Sequence, residues 1–448
     1  MGCNRRHHSP HVGKALPPVS TKDADIHDGL LTGAAFFDDP ALQSVLSCLN
    51  GGGEETRIAG GAVRNALLGV PVQDIDLATT ALPEITTARA KAAGLKTVPT
   101  GLEHGTITVI SDGKPFEVTT LREDIETDGR RASVRFGRDF KADALRRDFT
   151  INGLFADQNR RVYDYVNGLE DIAAQRVRFI GNADQRIAED YLRILRLFRM
   201  HAAYGAGPLD REGLAAVIAG RKGMLKLSRE RVGAETSKLL VARHAAGAAA
   251  EMAHAGLLGP LIGGVPHPAR LAGVVTVEDA HGLAADFTLR LTALAALIPE
   301  DAARLQDRLR LSNLQTMRIR RAVPAWTAMR NTSEPPPKTD LYRLLFLHGR
   351  RAALDGLLLA QASAGQAQNL EAWKSAFAFL RDTPEPRLPF TGADLIRRGV
   401  ESGPALGAAL KRMQALWIRA GFPKQPEILA RLLDEALDDS VGRGADSP

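Results

Sequence analysis

The sequence predicts an α+β chain, with a small mixed head near the N-terminus and a long all-helical remainder. Up to about Asp157, short period-two apolar alternations trade places with short helical patterns. Beyond about Ala173, Ala, Leu and Arg recur at three- to four-residue spacing down to the polar end VGRGADSP. The 448 residues exceed the roughly 250–300 at which a single core stops growing, so several domains are expected.

Residues up to about Leu30 are polar and proline-containing and read as a disordered extension. A helical pattern over Ala41–Leu49 leads into the loop GGGEE (51–55). TRIAGGAV follows as strand and turn, and VRNALLG as a helix ended by Gly69. VQDIDLATT reads as a strand, ITTARAKAAG as a helix, and GTITVI and PFEVTTL as two further strands. In the helical remainder, RNTSEPPPKTD (330–340) is a linker or long turn, while GLAADFTLRLTALAAL (282–297) and DLYRLLFLHGRRAALDGLLLA (340–360) read as bundle helices.

Composition bounds the function classes. A 44% hydrophobic and 25% charged chain has enough apolar material for an ordinary globular core. Its net charge of +6 permits a polyanionic partner without requiring one. Two cysteines, Cys3 and Cys48, are too few for a disulfide framework and fit a reducing cytosol. No apolar run approaches the ~18–20 residues needed to cross a bilayer, and the opening MGCNRRHHSPHVGK lacks the apolar stretch of a secretory signal. A cytoplasmic protein with no membrane partner is expected.

Chemistry concentrates in the head. On a strand, residues two apart share a face, so Asp74 and Asp76 project together while Ile75 and Leu77 point to the core. Two carboxylates this close repel unless a cation lies between them. Phosphoryl-transfer sites hold Mg²⁺ with one or two carboxylates plus substrate phosphates. A solvated strand edge produces the same string, so the neighbouring residues matter. Gly60 and Gly61 let the backbone approach a ligand closely, the helix N-terminus beyond them attracts anions, and Arg64 stands in its first turn. Glu117 alternates with Phe116 and Val118 and is the candidate third acid. Asp148 is the other candidate, although an Asp before an apolar stretch is also a common turn or cap residue.

These strings together resemble the class II tRNA nucleotidyltransferase family, which includes the CCA-adding enzymes and bacterial poly(A) polymerases. GGAVRN, DIDLATT, EVTTLR, DGRRASVRFG, RRDFTINGLF and EDYLRILRLFR carry the resemblance over about residues 57–205, with looser likeness in LSRERVGAETSKLL (227–240) and FTGADLIRRGV (390–400). The resemblance implies a polymerase-β-type nucleotidyltransferase head with a small mixed sheet, then a helical neck, body and tail. The expected divisions are 1–35 (extension), 36–172 (head), 173–240 (neck) and 241–448 (body and tail). It makes Asp74 and Asp76 ligands of catalytic Mg²⁺ and Glu117 the accompanying acid. Gly61 and Arg64 lie at the triphosphate, and Arg147 contacts the nucleotide. One departure is Asn65, where many members carry Asp; Asn keeps an acceptor but adds no charge.

EDYLRILRLFRM (189–200) is amphipathic. At ~100° per residue with Arg193 at zero, Asp190 lies at about 60°, Arg196 at about 300° and Arg199 at about 240°, opposite Tyr191, Ile194, Leu195 and Phe198. A solvated basic face is the plain explanation. Asp190 and Arg193 offer a more particular one, because a carboxylate accepts and a guanidinium only donates hydrogen bonds. Cytosine and adenine each place an exocyclic amine beside an unprotonated ring nitrogen, which this pair satisfies. Guanine and uracil leave both groups mismatched. The resemblance implies the same base-reading role, with Arg196 and Arg199 lining the site. Arg130, Arg131 and Arg135 sit in a basic loop that is either solvated or guides RNA phosphates.

The resemblance then implies template-independent addition of C, C and A to a tRNA 3′ end from CTP and ATP. Poly(A) addition to RNA, an A-only or CC-only variant, and a catalytically silent RNA-binding protein on the same scaffold also fit these strings.

Overall fold

The computed structural model describes residues 24–124, 134–329, 332–364 and 369–441. The chain forms two compact units, Met1–Gly223 and Met224–Pro448. The division falls inside the stretch expected as the neck.

Ten strands are described in the first unit: β1 (Asp25–His27), β2 (Thr56–Ala59), β3 (Asp76–Thr79), β4 (Lys96–Gly101), β5 (Thr106–Ser111), β6 (Lys114–Thr120), β7 (Arg122–Asp124), β8 (Val134–Phe136), β9 (Leu154–Ala156) and β10 (Val162–Asp164). Eight of them form one sheet in the order β1-β10-β9-β2-β3-β6-β5-β4, and β7 pairs with β8 separately. Every pairing in the large sheet is antiparallel except β3 with β6. The expected mixed sheet is therefore present. The helices of this unit include α1 (Pro40–Leu49), α2 (Gly61–Leu67), α3 (Pro83–Ala92), α4 (Phe140–Leu145), α5 (Gly168–Ala173), α6 (Ala183–Glu189) and α7 (Leu192–Tyr204).

Two expectations are corrected here. The predicted extension 1–35 is not structureless throughout: Asp25–His27 pair with β10 at the sheet edge, and only 1–23 lie outside the described residues. All three strand residues are exposed, so no apolar alternation announces them. DIDL is strand only from Asp76 onward, which leaves Asp74 on the approach to β3.

The head core gathers Ala59, Ala78, Leu121, Phe140, Ala144, Phe155 and Tyr163. Within it Arg57 is fully buried, bonded to Glu55 at 2.6 Å and to the Tyr165 hydroxyl at 2.9 Å. Its guanidinium lies 4.0 Å from the Phe140 ring centre and 3.6 Å from that of Tyr163. A buried cation is tolerable because a carboxylate and two ring faces replace its water. This fastens α4 to the sheet.

The second unit is helical throughout its described elements. Val274, Ala325, Trp326, Leu345, Leu357 and Trp373 belong to its larger core, while Leu395, Ala409, Met413, Leu433 and Ala436 form a smaller one. The stretch 340–360, read as bundle helix, comprises two helices, Lys338–His348 and Arg350–Ser363, divided at Gly349 with φ 77°. The stretch SGPALG starts a helix, with Pro404 at its first position.

Candidate active site

The parallel pairing of β3 and β6 sets Asp76 directly beside Glu117. Phe116 and Val118 are buried on the other face, so Glu117 emerges from the sheet as its alternation predicted. Asp76 opens β3 at the same edge. Its side chain reaches solvent, yet the surrounding protein wall withdraws enough water to raise its carboxyl above the ordinary value; Glu117, and more weakly Asp74, push it further up against the pull of Arg147. Asp74 thus contributes to the same negative field from outside the strand.

This excess negative charge fits a divalent cation. Among the described residues no group of three or more acidic, His or Cys side chains is placed to hold a metal ion. A site for a metal–triphosphate takes one or two carboxylates from protein and the remaining oxygens from substrate and water.

Gly60 turns the chain from β2 into α2 with φ 61° and ψ −106°, and its N–H donates to the Leu154 carbonyl at 2.9 Å. A Cβ there would sit 2.7 Å from Arg147 Nη1 and 3.2 Å from the Asn152 carbonyl oxygen. The space that the glycine leaves is thus taken by Arg147, whereas the sequence suggested a ligand. α2 has only seven residues, so its dipole adds less anion attraction than the sequence suggested. The cationic groups carry more of it.

Arg147 is held by Asp143, whose carboxylate accepts Nε at 3.1 Å and Nη2 at 3.0 Å, and the guanidinium lies 4.9 Å from the Phe155 ring centre. Arg146 bonds the other Asp143 oxygen at 2.9 Å. Sequence reasoning missed Asp143, although its place three and four residues before two arginines on a helix is a readable signal. Burial alone would raise the Asp143 carboxyl, but Arg147 and Arg146 hold it below its usual range.

Asp148, the second candidate acid, is engaged elsewhere. Its Oδ2 accepts Arg196 Nε at 2.7 Å and its Oδ1 accepts Asn152 Nδ2 at 3.1 Å. It ties the neck helix to the head and is not poised as a metal ligand.

Arg64 is buried, yet all four of its hydrogen bonds go to neutral oxygens: Asn65 Oδ1 at 3.1 and 2.8 Å, Asn152 Oδ1, and the Tyr204 hydroxyl at 2.8 Å. Burial pushes its guanidinium below the ordinary value, and the nearby Arg199 adds to this. Among the described residues its charge lacks an acidic partner at ion-pair distance, although Asp148 acts on it from further away.

The base-reading pair differs from its helical projection. Asp190 has extended backbone, φ −152° and ψ 106°, and separates α6 from α7. Its Oδ1 accepts the Leu192 N–H at 3.0 Å at the start of α7. Arg193 lies in α7, and its Nη1 donates to Glu189 Oε2 at 2.5 Å and the Arg186 carbonyl at 2.9 Å. Nε and Nη2 of Arg193 make no hydrogen bond to the described residues. Ile194, Leu195 and Phe198 are buried as expected, while Arg193, Arg196 and Arg199 remain half-buried. In the basic loop, Arg135 is an exposed residue of β8, and Arg130 and Arg131 lie outside the described residues.

Fold and site together define a nucleotidyltransferase head, followed along the chain by a helical unit. Residues 56–178 match the Poly A polymerase head domain family. The chain is 34% identical over 388 residues to mitochondrial CCA tRNA nucleotidyltransferase 1 of Mus musculus, covering 84% of this chain and 85% of that one. It is 30% identical over 413 residues to the CCA-adding enzyme of Lacticaseibacillus paracasei, covering 90% and 98%. The crystal structure of the Bacillus stearothermophilus CCA-adding enzyme in complex with CTP superimposes with a TM-score of 0.68 at 26% identity, covering 90% of this chain and 100% of that one. The chain belongs to the CCA-adding tRNA nucleotidyltransferase and poly(A) polymerase family. It is a nucleotidyltransferase, and the family's chemistry depends on a divalent metal.

Proposed function

We infer that this protein adds C, C and A in turn to the 3′ end of tRNA, from CTP and ATP and without a nucleic-acid template. The observation that carries this is the extent of the relationship to CCA-adding enzymes, which runs through head and helical body alike. The acidic edge at Asp76 and Glu117 is where such chemistry would occur.

In the reaction, the tRNA 3′-hydroxyl attacks the α-phosphorus of the bound nucleotide, a new P–O bond forms, and the bond to pyrophosphate breaks. Asp74 and Asp76 would hold Mg²⁺, with Glu117 as the accompanying acid. Mg²⁺, when bound, supplies positive charge against the phosphoryl oxygens and helps the hydroxyl lose its proton. Gly60 and Gly61 turn the backbone at the nucleotide. Arg64, whose hydrogen-bond partners are all neutral, brings its charge to the triphosphate, and Arg147, held by Asp143, contributes a second cation beside Asp76. Asp190 and Arg193 would read the amine and ring nitrogen of C or A, with Arg196 and Arg199 lining the site. Glu189 occupies one end of the Arg193 guanidinium and thereby orients the other.

The arginines of 130–135 would meet RNA phosphates. In the helical body, a cleft of about 660 Å³ carries Arg343, Lys411 and Arg419 along its wall and is the place we assign to tRNA backbone. No described helix is long and apolar enough to cross a membrane. The sparse cysteines support a cytoplasmic location.

The test incubates the protein and Mg²⁺ with tRNA lacking its 3′ CCA, supplying each nucleoside triphosphate alone and then CTP with ATP. Two additions from CTP, then a single A when both are present, is the expected result. A long tail from ATP alone would make the protein a poly(A) polymerase. Absence of incorporation would leave an RNA-binding protein.

A further inference from the structure

Two hydrogen bonds between α7 and the head lie eight residues apart, about 12 Å along a helix. At Arg196 the helix donates to Asp148 at 2.7 Å, and at Tyr204 it accepts from Arg64 at 2.8 Å. Asn152 joins these points. Its Nδ2 donates to Asp148 at 3.1 Å, and its Oδ1 accepts from Arg64. The result is a closed polar circuit, Arg196–Asp148–Asn152–Arg64–Tyr204, that leaves α7 and returns to it.

Resting on the reading of Arg64 as a triphosphate contact, we propose that Tyr204 is a positioning residue, which sets the Arg64 guanidinium and couples it to the helix that selects the base. Tyr204 lies outside the strings that carry the family resemblance, as the last residue of α7. Its ring faces the Arg64 guanidinium with 4.0 Å between Cζ and the ring centre, while its hydroxyl accepts from the same group. A ring face and a hydroxyl each hold a cation without neutralising it. Asn65 acts similarly: its neutral amide oxygen accepts two Arg64 N–H groups where a carboxylate would cancel the charge. The guanidinium is thereby fixed in direction with its positive charge retained. A triphosphate drawn to Arg64 would bear on Tyr204, and through it on the helix carrying Arg193.

The test measures steady-state addition of CMP to tRNA lacking CCA, and of AMP to tRNA ending in CC. The variants are Tyr204→Phe, Tyr204→Leu, Arg64→Ala and the double variant Arg64→Ala/Tyr204→Leu, each checked for an unchanged unfolding transition. Tyr204→Leu is expected to raise KM for both nucleotides by about five- to tenfold, with a smaller change in kcat. Tyr204→Phe keeps the ring and should fall between wild type and Tyr204→Leu. In the Arg64→Ala background, Tyr204→Leu should add almost nothing, since a residue acting through Arg64 has nothing left to position. A purely structural role would instead give additive losses. If Arg64→Ala raises KM and Tyr204→Leu does not, or the two losses add, the role of Tyr204 is overturned while the triphosphate reading stands. An unchanged KM in Arg64→Ala overturns the triphosphate reading itself, and the coupling with it.

Discussion

Asp76 and Glu117 stand directly opposite each other in the parallel pairing of β3 and β6. Their arrangement is electrostatically unfavourable by itself. Asp76 is raised first by burial and then by Glu117, so the head holds negative charge that Arg147 only partly compensates. Asp76→Asn should lower nucleotide incorporation by roughly a thousandfold or more, because several kcal/mol of charge stabilisation disappear with the metal ligand. Binding of tRNA should persist. In EDTA at neutral pH the same variant should unfold at a higher temperature than wild type, since it removes a repelled carboxylate. Magnesium should narrow that gap by stabilising only the protein able to bind it. A variant less stable than wild type in EDTA would contradict the charge argument.

Asp148 presents the opposite case. Burial would raise its carboxyl, but Arg196 and the hydrogen bonds from Asn152 and the Phe149 N–H hold it below the ordinary range. For an acid whose folded value is depressed, the stabilisation is present above the unfolded value of about 3.9 and is lost as pH falls through the folded value. Asp148→Asn should therefore be destabilised at neutral pH by about 1–3 kcal/mol, the cost of removing the buried carboxylate that accepts from Arg196, Asn152 and the Phe149 N–H. Its deficit against wild type should shrink below about pH 4. Denaturant titrations at pH 7 and pH 3.5 check this, and a pH-independent deficit would contradict it.

How much of this was legible depends on the range of the interaction. Glu117 was placed correctly because strand alternation is local: buried Phe116 and Val118 leave it no other face. Asp190 was placed on a continuous helical face because the wheel assumes one helix, whereas the chain breaks there and its carboxylate accepts the Leu192 N–H at the start of α7. The Gly60 turn was legible, but not that Arg147 fills the space above it, since that depends on how α4 sits on the sheet. Tyr204 lies 140 residues from Arg64, and no periodicity links the two. β1 escaped because an exposed three-residue edge strand has no buried face to impose a pattern.

Glu189 grips one end of Arg193 at 2.5 Å, and Arg186 Nη1 also reaches its carboxylate, with Oε2 at 3.0 Å. The pair is partly exposed, so its contribution to stability is small, about 0–1 kcal/mol. Its importance would lie in direction. Glu189→Gln should leave the unfolding temperature nearly unchanged while loosening the guanidinium. We expect KM for CTP and ATP to rise by about three- to tenfold and incorporation from UTP or GTP to become more frequent. Single-nucleotide addition assays with each triphosphate measure this. Unchanged selectivity with an unchanged KM would remove Glu189 from the orientation of Arg193.

The cleft lined by Arg343, Lys411 and Arg419 makes a separate claim, because its residues belong to the second compact unit and not to the head. Thr339 and Gln414 share its wall, and Asp340 is its acidic member, so the charge balance favours an anion. Phosphate contacts release counterions, and each one contributes about 0.7–0.9 to the slope of log affinity against log salt. Replacing Lys411 and Arg419 by Glu should weaken tRNA binding by about tenfold or more at moderate salt and reduce that slope by roughly two. KM for CTP, measured at saturating tRNA, should not move, since neither side chain belongs to the nucleotide site. Filter-binding isotherms between low and moderate salt test the claim directly. If affinity and slope are both unchanged, the cleft does not hold the RNA backbone; if KM for CTP rises instead, the effect belongs to folding or to the head.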